Sequence, residues 1–216
     1  NARWIREQLS NVDIDKHSAA EFLMTGYVTG PFTLLHGLRQ LQAGEYLVLN
    51  IRTGKLELNM YYHLFYPFKD EDRVSERELM EVLDAITMKS IQRLVDVANG
   101  RTIVIPLSGG LDSRLIAMQL RRLGYQKIIA FSYGVPGNSE SVVSQKVAAQ
   151  LKIPWEFVSY DHGLWKSWYS SREYAEYVKR ADGLCSVAHV QDWPAVWMLC
   201  QKRRVPEDAI FVPGHS

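Results

Sequence analysis

Apolar positions along this chain change their period several times, and each change marks an element. Residues 45–51 and 55–62 are strand-like, and Arg52-Thr53-Gly54 between them supplies the glycine that a tight hairpin turn needs. The remainder of residues 18–65 reads as irregular. Phe65-Tyr66-Pro67 and the charged stretch from Lys69 to Arg73 form a boundary. From Ser75 the pattern turns helical. Ser75 and Glu78 fit a capping box, Leu79, Val82, Leu83, Ile86, Leu94 and Val95 fall on one face, and Gly100 is a suitable stop. Short apolar runs at 103–107, 127–133 and 155–160 then alternate with helical patterns at 112–123 and 140–151. Helices instead of hairpin turns between short apolar strands predict a parallel sheet with right-handed crossovers. Residues 163–205 read as helical and rich in aromatic side chains, most of them core, and a last strand at 209–212 follows. The expected class is α/β, a parallel twisted sheet with helices on both faces, preceded by a small β-hairpin piece. Residues 1–67 and 68–216 are the two expected segments.

The strand at 103–107 runs into Ser108-Gly109-Gly110-Leu111-Asp112-Ser113. Glycines permit close approach of backbone to a ligand. The unpaired amides of the following helix, from Asp112 to Leu115, present donors and the positive end of a dipole to an anion. Ser108 and Ser113 add hydroxyls, and Asp112 adds a carboxylate suited to a hard cation beside phosphates. No Gly-Lys-Ser/Thr follows, so this is not the nucleoside-triphosphatase P-loop, and the Gly-x-Gly-x-x-Gly spacing of dinucleotide folds is absent. In parallel sheets ligands bind at the carboxyl ends of strands, where this loop lies.

Composition narrows the rest. Of 216 residues 47% are hydrophobic, enough for a sizeable core. Lys+Arg 25 against Asp+Glu 24 gives a net charge of +1, which offers no global field to nucleic acid or a lipid surface. The basic runs Arg121-Arg122 and Lys202-Arg203-Arg204 read as solvated helix ends with a favourable dipole contact. Cys185 and Cys200 form no Cys-x-x-Cys, and the six histidines show no metal spacing, as expected for reduced thiols in a cytoplasmic protein. No apolar run reaches membrane-spanning length. The chain starts at Asn1, not Met, and stops just after a Pro-Gly turn, so it reads as a segment of a longer protein.

The hexapeptide from Ser108 to Ser113 resembles the pyrophosphate-binding (PP) loop of the ATP pyrophosphatases, in the form found in asparagine synthetases. Phe131-Ser132-Tyr133-Gly134, with Gly137 and Glu140, resembles that family's second strand and the turn after it. Thr25-Gly26-Tyr27-Val28-Thr29-Gly30-Pro31, the stretch from Leu41 to Leu47, and Tyr61-Tyr62 resemble the end of the glutaminase domain that precedes the synthetase domain. The resemblance extends over roughly residues 20–160 and returns at Pro213-Gly214-His215-Ser216.

The resemblance implies the adenine nucleotide α-hydrolase-like fold and an ATP- and magnesium-dependent amide ligase. A carboxylate, aspartate or a related acid, is adenylated with loss of pyrophosphate, and ammonia made from glutamine then displaces AMP. Leu107, Ser108, Gly109, Gly110, Asp112, Ser113, Tyr133, Pro213 and Gly214 would contact the nucleotide, Asp112 would also hold Mg2+, and Asp112 and His215 would serve catalysis. His215 stands where the family often has Glu, and a histidine there could act as a base near neutral pH. Arg114, next to the motif, either neutralises leaving-group charge or faces solvent. Asp182, Gly183, Ser186, His189 and Asp192 lie where the carboxylate substrate would sit, but their pattern departs from asparagine synthetase, which puts aspartate in doubt. The glutaminase nucleophile, an N-terminal cysteine, is absent, so the ammonia would come from a domain outside this segment. The partners implied are ATP, a small carboxylate and ammonia, with neither nucleic acid nor membrane, and a homodimer stays open. Two other readings stand beside it: a degenerate nucleotide-binding domain, and a PP-loop enzyme acting on another acceptor such as a transfer-RNA base.

Overall fold

The computed structural model describes residues 2–9, 12–63, 75–181 and 183–214. In chain order its elements are α1 (Ala2–Glu7), α2 (Lys16–Thr25), β1 (Glu45–Leu49), β2 (Leu56–Met60) and α3 (Glu76–Ala98). Then come β3 (Ile103–Pro106), α4 (Leu111–Arg122), β4 (Ile128–Gly134), α5 (Ser139–Gln150) and β5 (Trp155–Ser159). The chain continues through α6 (His162–Tyr169), α7 (Arg172–Ala181), α8 (Trp193–Gln201) and β6 (Ile210–Phe211). The elements group into two units, residues 1–71 with 172–189, and residues 72–171 with 190–216.

In the first unit, Asp15 caps α2 by accepting from the Ser18 amide at 2.9 Å. β1 and β2 form an antiparallel hairpin with Glu45 opposite Met60. Asn50 closes its turn by accepting from the amides of Arg52 and Thr53. The segment after α7 is stitched to residues 26–34: Val28 donates to the Cys185 carbonyl at 2.6 Å and Leu34 to the Leu184 carbonyl at 2.7 Å. Residues 172–189, placed by the sequence pattern in the second segment, thus group with the first unit.

The second unit holds a four-stranded parallel sheet in the order β5-β4-β3-β6. Parity along the strands explains its two cores. Ile103, Ile105 and Leu107 from the β3 segment, with Ile128 and Ala130 from β4, face α3, α4 and α5. Val104, Ile129, Phe131 and Val158 face the other way, onto Leu164 of α6 and Ala195 and Leu199 of α8. Strands covered on both faces are the reason these runs read as continuously apolar. The class is therefore α/β with helices on both faces of a parallel sheet, beside a small antiparallel hairpin.

Two expectations change. α3 begins with the capping box at Ser75 and Glu78, as its pattern requires. Its apolar stripe, however, is covered only toward the C-terminus, where Ile91, Leu94, Val95 and Ala98 pack on the sheet. Leu79, Val82, Leu83 and Ile86 are exposed among the described residues, Leu83 by 64%. Length is the cause. Twenty-three helical residues run about 34 Å, whereas β4, the longest strand of this sheet, spans only about 23 Å. The second change concerns Arg121, which is not a solvated helix end. Its guanidinium donates to the carbonyls of Leu151, Lys152 and Tyr125 and to Gln126, tying the end of α4 to the end of α5. Arg122 binds Asp84 of α3 through one nitrogen at 2.7 and 2.9 Å, and Gln119 adds a third contact to that carboxylate.

Candidate functional site

Strand order places one crevice in this sheet. The chain runs β3, β4, β5 outward, then returns to lay β6 on the opposite side of β3. The ends of β3 and β6 therefore flank the switch point, where open α/β sheets leave room for a ligand. The Ser108–Ser113 loop follows β3, and Pro213 and Gly214 follow β6.

The loop is held from within. Leu107 is buried and donates its amide to the Phe131 carbonyl at 2.8 Å. Its own carbonyl accepts from the Ser132 hydroxyl. A hydroxyl donates once, so Ser144 donates to Ser132 across their 2.7 Å contact, and the Trp155 indole donates to Ser144 at 2.7 Å. This buried relay fixes the point where the loop leaves the sheet. Beyond it, Ser108 donates its amide to the Ser113 hydroxyl at 3.1 Å, and Gly110 donates to the Ser108 hydroxyl at 3.1 Å. Gly109 donates to the Glu140 carboxylate at 2.5 Å. Three successive amides are thus engaged by side chains of the protein itself.

The start of α4 differs. Gly110 is its N-cap residue and offers no side chain to the first turn. The amides of Leu111 and Asp112 have no partner among the described residues. Asp112 is exposed on this turn, and Ser113 is buried behind it. Arg114 folds back, its Nε donating to the Gly110 carbonyl at 2.9 Å. That contact braces the loop and leaves the guanidinium at the helix start. Gly214 closes the other side: a Cβ there would lie 2.6 Å from the Ser113 nitrogen and 2.9 Å from its Cα. Only glycine lets the turn after β6 run this close to the first turn of α4. His215 lies outside the described residues.

Tyr133, at the end of β4, stacks on Tyr160 with centroids 4.8 Å apart and donates its hydroxyl to Asp192. Tyr160 donates to the Gln191 carbonyl at 2.7 Å, accepts from the Ala195 amide at 3.2 Å and meets Trp165 edge-on. Burial, with the Asp192 carboxylate second, pushes the Tyr133 hydroxyl well above the usual phenol range. Burial does the same to Tyr160, against the opposing pull of the Ala195 N–H. Both phenols stay neutral donors at physiological pH.

The structure brings Leu107, Ser108, Gly109, Gly110, Asp112, Ser113 and Gly214 to one strand end, and sets Tyr133 at the end of the next strand. The residues expected around the carboxylate are divided between the two units by their place in the chain. Gly183, Ser186 and His189 belong to the first unit, where Ser186 bridges Tyr27 and the His189 carbonyl accepts from Tyr177. Asp192 belongs to the second, and Asp182 lies outside the described residues. Tyr160 and the Gly214–Ser113 approach have no local sequence signal, and Glu140, which the sequence places only in the turn after the second strand, finds its partner Gly109 in a distant element. Among the described residues no group of three or more His, Cys, Asp or Glu could hold a metal ion. Asp112 supplies an exposed carboxylate on the first turn of the helix, and Glu140 brings a second to the loop at the Gly109 amide; a carboxylate such as Asp112 suits a magnesium ion that keeps waters and takes its other oxygens from phosphate. No helix described here is long and apolar enough to cross a membrane.

Residues 93–163 match the family profile described as asparagine synthase. They run from the latter part of α3 through β5 and α6's first residues, and contain the whole loop. Curated proteins gave no significant match. Among solved structures, the NH3-dependent NAD synthetase from Campylobacter jejuni, in complex with the nitrate ion, is similar over 63% of this chain at 13% identity and a TM-score of 0.41. This chain spans 56% of that chain's length.

Proposed function

We propose that this chain, whose residues 93–163 form an asparagine synthase-like PP-loop domain, is the ATP-using part of a ligase that converts a carboxylate to an amide. The carrying observation is the uncapped first turn of α4 beside the β3–β6 switch point, walled by the serine and glycine loop on one side and Gly214 on the other.

The reading runs as follows. The substrate carboxylate attacks the α-phosphorus of ATP, the α–β bridging bond breaks, and an acyl-adenylate and pyrophosphate result. The amides of Leu111 and Asp112, with the hydroxyls of Ser108 and Ser113, receive the charge that builds on the departing pyrophosphate. Ammonia then attacks the acyl carbon, AMP leaves, and the amide forms. Asp112 would hold Mg2+, which neutralises phosphate charge when bound. The loop supplies donors and no nucleophile, so its contribution is positioning and charge stabilisation. Tyr133 would flank the adenosine, and Pro213 would contact the nucleotide beside Gly214. The glutamine-derived ammonia, a glutaminase piece within residues 1–67 and a base role for His215 belong to the same reading.

The test is pyrophosphate release by the full-length protein with ATP, magnesium and a panel of small carboxylates. Pyrophosphate and AMP formed in step with an amide support the ligase, with Asp112→Asn slowing it at least a hundredfold, as for loss of a transition-state charge contact. Phosphate as the product, or tight nucleotide binding without turnover of any acid, refutes it.

A further inference from the structure

The bare side of a glycine in a turn is where an anion can approach the backbone closely. At Gly109 that place is taken by the protein itself. The Gly109 amide donates to Glu140 Oε2 at 2.5 Å. A Cβ on Gly109 would lie 3.1 Å from Oε2 and 3.4 Å from both Cδ and Oε1, so the whole carboxylate lies against the glycine. Carboxylate and phosphate oxygens make the same charge-assisted bond to a backbone N–H.

Glu140 is not needed for the start of its own helix. Asn138 caps α5, accepting from the Ser141 amide at 2.8 Å. Glu140 is exposed, and among the described residues its carboxylate has no second hydrogen bond and no ion pair. A flexible side chain held by one bond can turn away. Gly109 also stands only two peptide steps, at most about 7.6 Å, before Leu111. Leu111 and Asp112 carry the unpartnered amides of α4. A negative charge fixed so near those amides is little screened.

We propose that Glu140 is a built-in competitor for the phosphate loop. Its carboxylate and the pyrophosphate part of the nucleotide exclude one another at the Gly109 amide. Binding of the polyanion turns Glu140 outward, and its return to Gly109 helps pyrophosphate leave. This inference rests on the nucleotide reading of the loop. A carboxylate that merely braced the loop, or helped hold a metal, would have the opposite sign: its removal would weaken binding.

The experiment is calorimetric titration of the full chain with inorganic pyrophosphate and with ATP, magnesium present. Glu140→Gln keeps the size of the side chain and removes its charge, and Glu140→Ala removes the group. Both should bind pyrophosphate and ATP about tenfold more tightly than the parent, equivalent to about 1.4 kcal/mol. Dissociation of pyrophosphate should slow by a similar factor. Glu207→Gln, the same charge change at an exposed residue outside the loop, should bind as the parent does. In NMR the Gly109 amide should lose its protection from exchange in Glu140→Ala and regain it with pyrophosphate. Equal or weaker binding by both Glu140 variants overturns the inference and leaves the nucleotide reading standing. Failure of parent and variants alike to bind pyrophosphate or ATP at millimolar concentration refutes both. Tighter binding by the variants, with no amide formed from any acid, upholds the competitor and removes the ligase.

Discussion

Substituting Gly214 by alanine tests the packing on which the site depends. The added methyl would lie 2.6 Å from the Ser113 nitrogen, 2.9 Å from its Cα and 2.9 Å from its Cβ. Carbon contacts are comfortable at about 3.5–4.0 Å, so roughly 1 Å of separation must be found. Neither side yields it cheaply. The Ser113 atoms are helix backbone on a buried residue whose hydroxyl is bound to Ser108. On the other side, Val212 is held by the Val104 carbonyl at 2.9 Å. Overpacking of this kind costs about 1–3 kcal/mol. For a unit of this size that is a drop of roughly 3–12 °C in melting temperature. Gly109→Ala is the control. Its methyl would meet Glu140 Oε2 at 3.1 Å, the end of a side chain on an exposed residue that can turn aside. That change should cost less than about 1 kcal/mol. Thermal unfolding by circular dichroism ranks the two without assuming any activity, and calorimetric titration with ATP below both transitions then reads the site. Gly214→Ala should lose most of its nucleotide affinity, because the helix start is displaced. A Gly214→Ala protein melting within about 1 °C of the parent, or a Gly109→Ala protein that melts lower, would refute the reasoning.

Three further outcomes follow from the same contacts. Ser144→Ala should destabilise by about 1–3 kcal/mol in chemical denaturation, since it strands the Trp155 indole and breaks the relay to Leu107. Above about pH 10 stability should fall. The hydroxyls of Tyr133 and Tyr160 ionise more readily unfolded than folded, so the stabilisation is complete below the ordinary phenol value and is lost as pH climbs toward the raised folded one. Urea midpoints measured across alkaline pH should show a shallower decline in Tyr160→Phe. At the acid end the sign reverses. The Arg122 contact first and Gln119 second lower the Asp84 carboxyl, so its contribution is present above the usual carboxylate range and is lost as pH falls through the lowered value. Asp84→Asn should flatten the acid limb of the stability curve, and added salt should shrink the difference in this exposed pair.

The strands and helices of the second unit were legible because their signals are local. Ser75 with Glu78, Gly100, and the apolar runs at 103, 128 and 155 each act within a few residues, and from α3 to β5 the observed ends differ from the expected ones by one or two positions, whereas the stretch 163–205, expected as helical, is interrupted by non-helical residues 183–192 before α8. The loop was legible for the same reason: strand, Ser-Gly-Gly and helix start are contiguous. What was not legible depends on distance along the chain. Glu140 reaches Gly109 across 31 positions and Tyr133 reaches Asp192 across 59, and no spacing rule connects such pairs. The apolar stripe of α3 shows a different limit. Periodicity tells which side of a helix is apolar, whereas the length of the neighbouring strands decides how much of that side is covered. Arg121 shows a third, since a cationic run looks solvated until the carbonyls of a second helix end are seen beside it.

β6 lies beside β3 with Phe211 opposite Val104, a pairing that closes 107 positions of chain. Loop closure of that length costs chain entropy before any contact repays it, which favours late formation of this pairing. Everything up to β5 can assemble from near neighbours, yet one wall of the crevice arrives only with residues 210–214. A folding chain would therefore acquire its sheet and helices first and its affinity for a ligand last. Refolding followed by tryptophan fluorescence and by ATP capture in the same experiment would separate the two times.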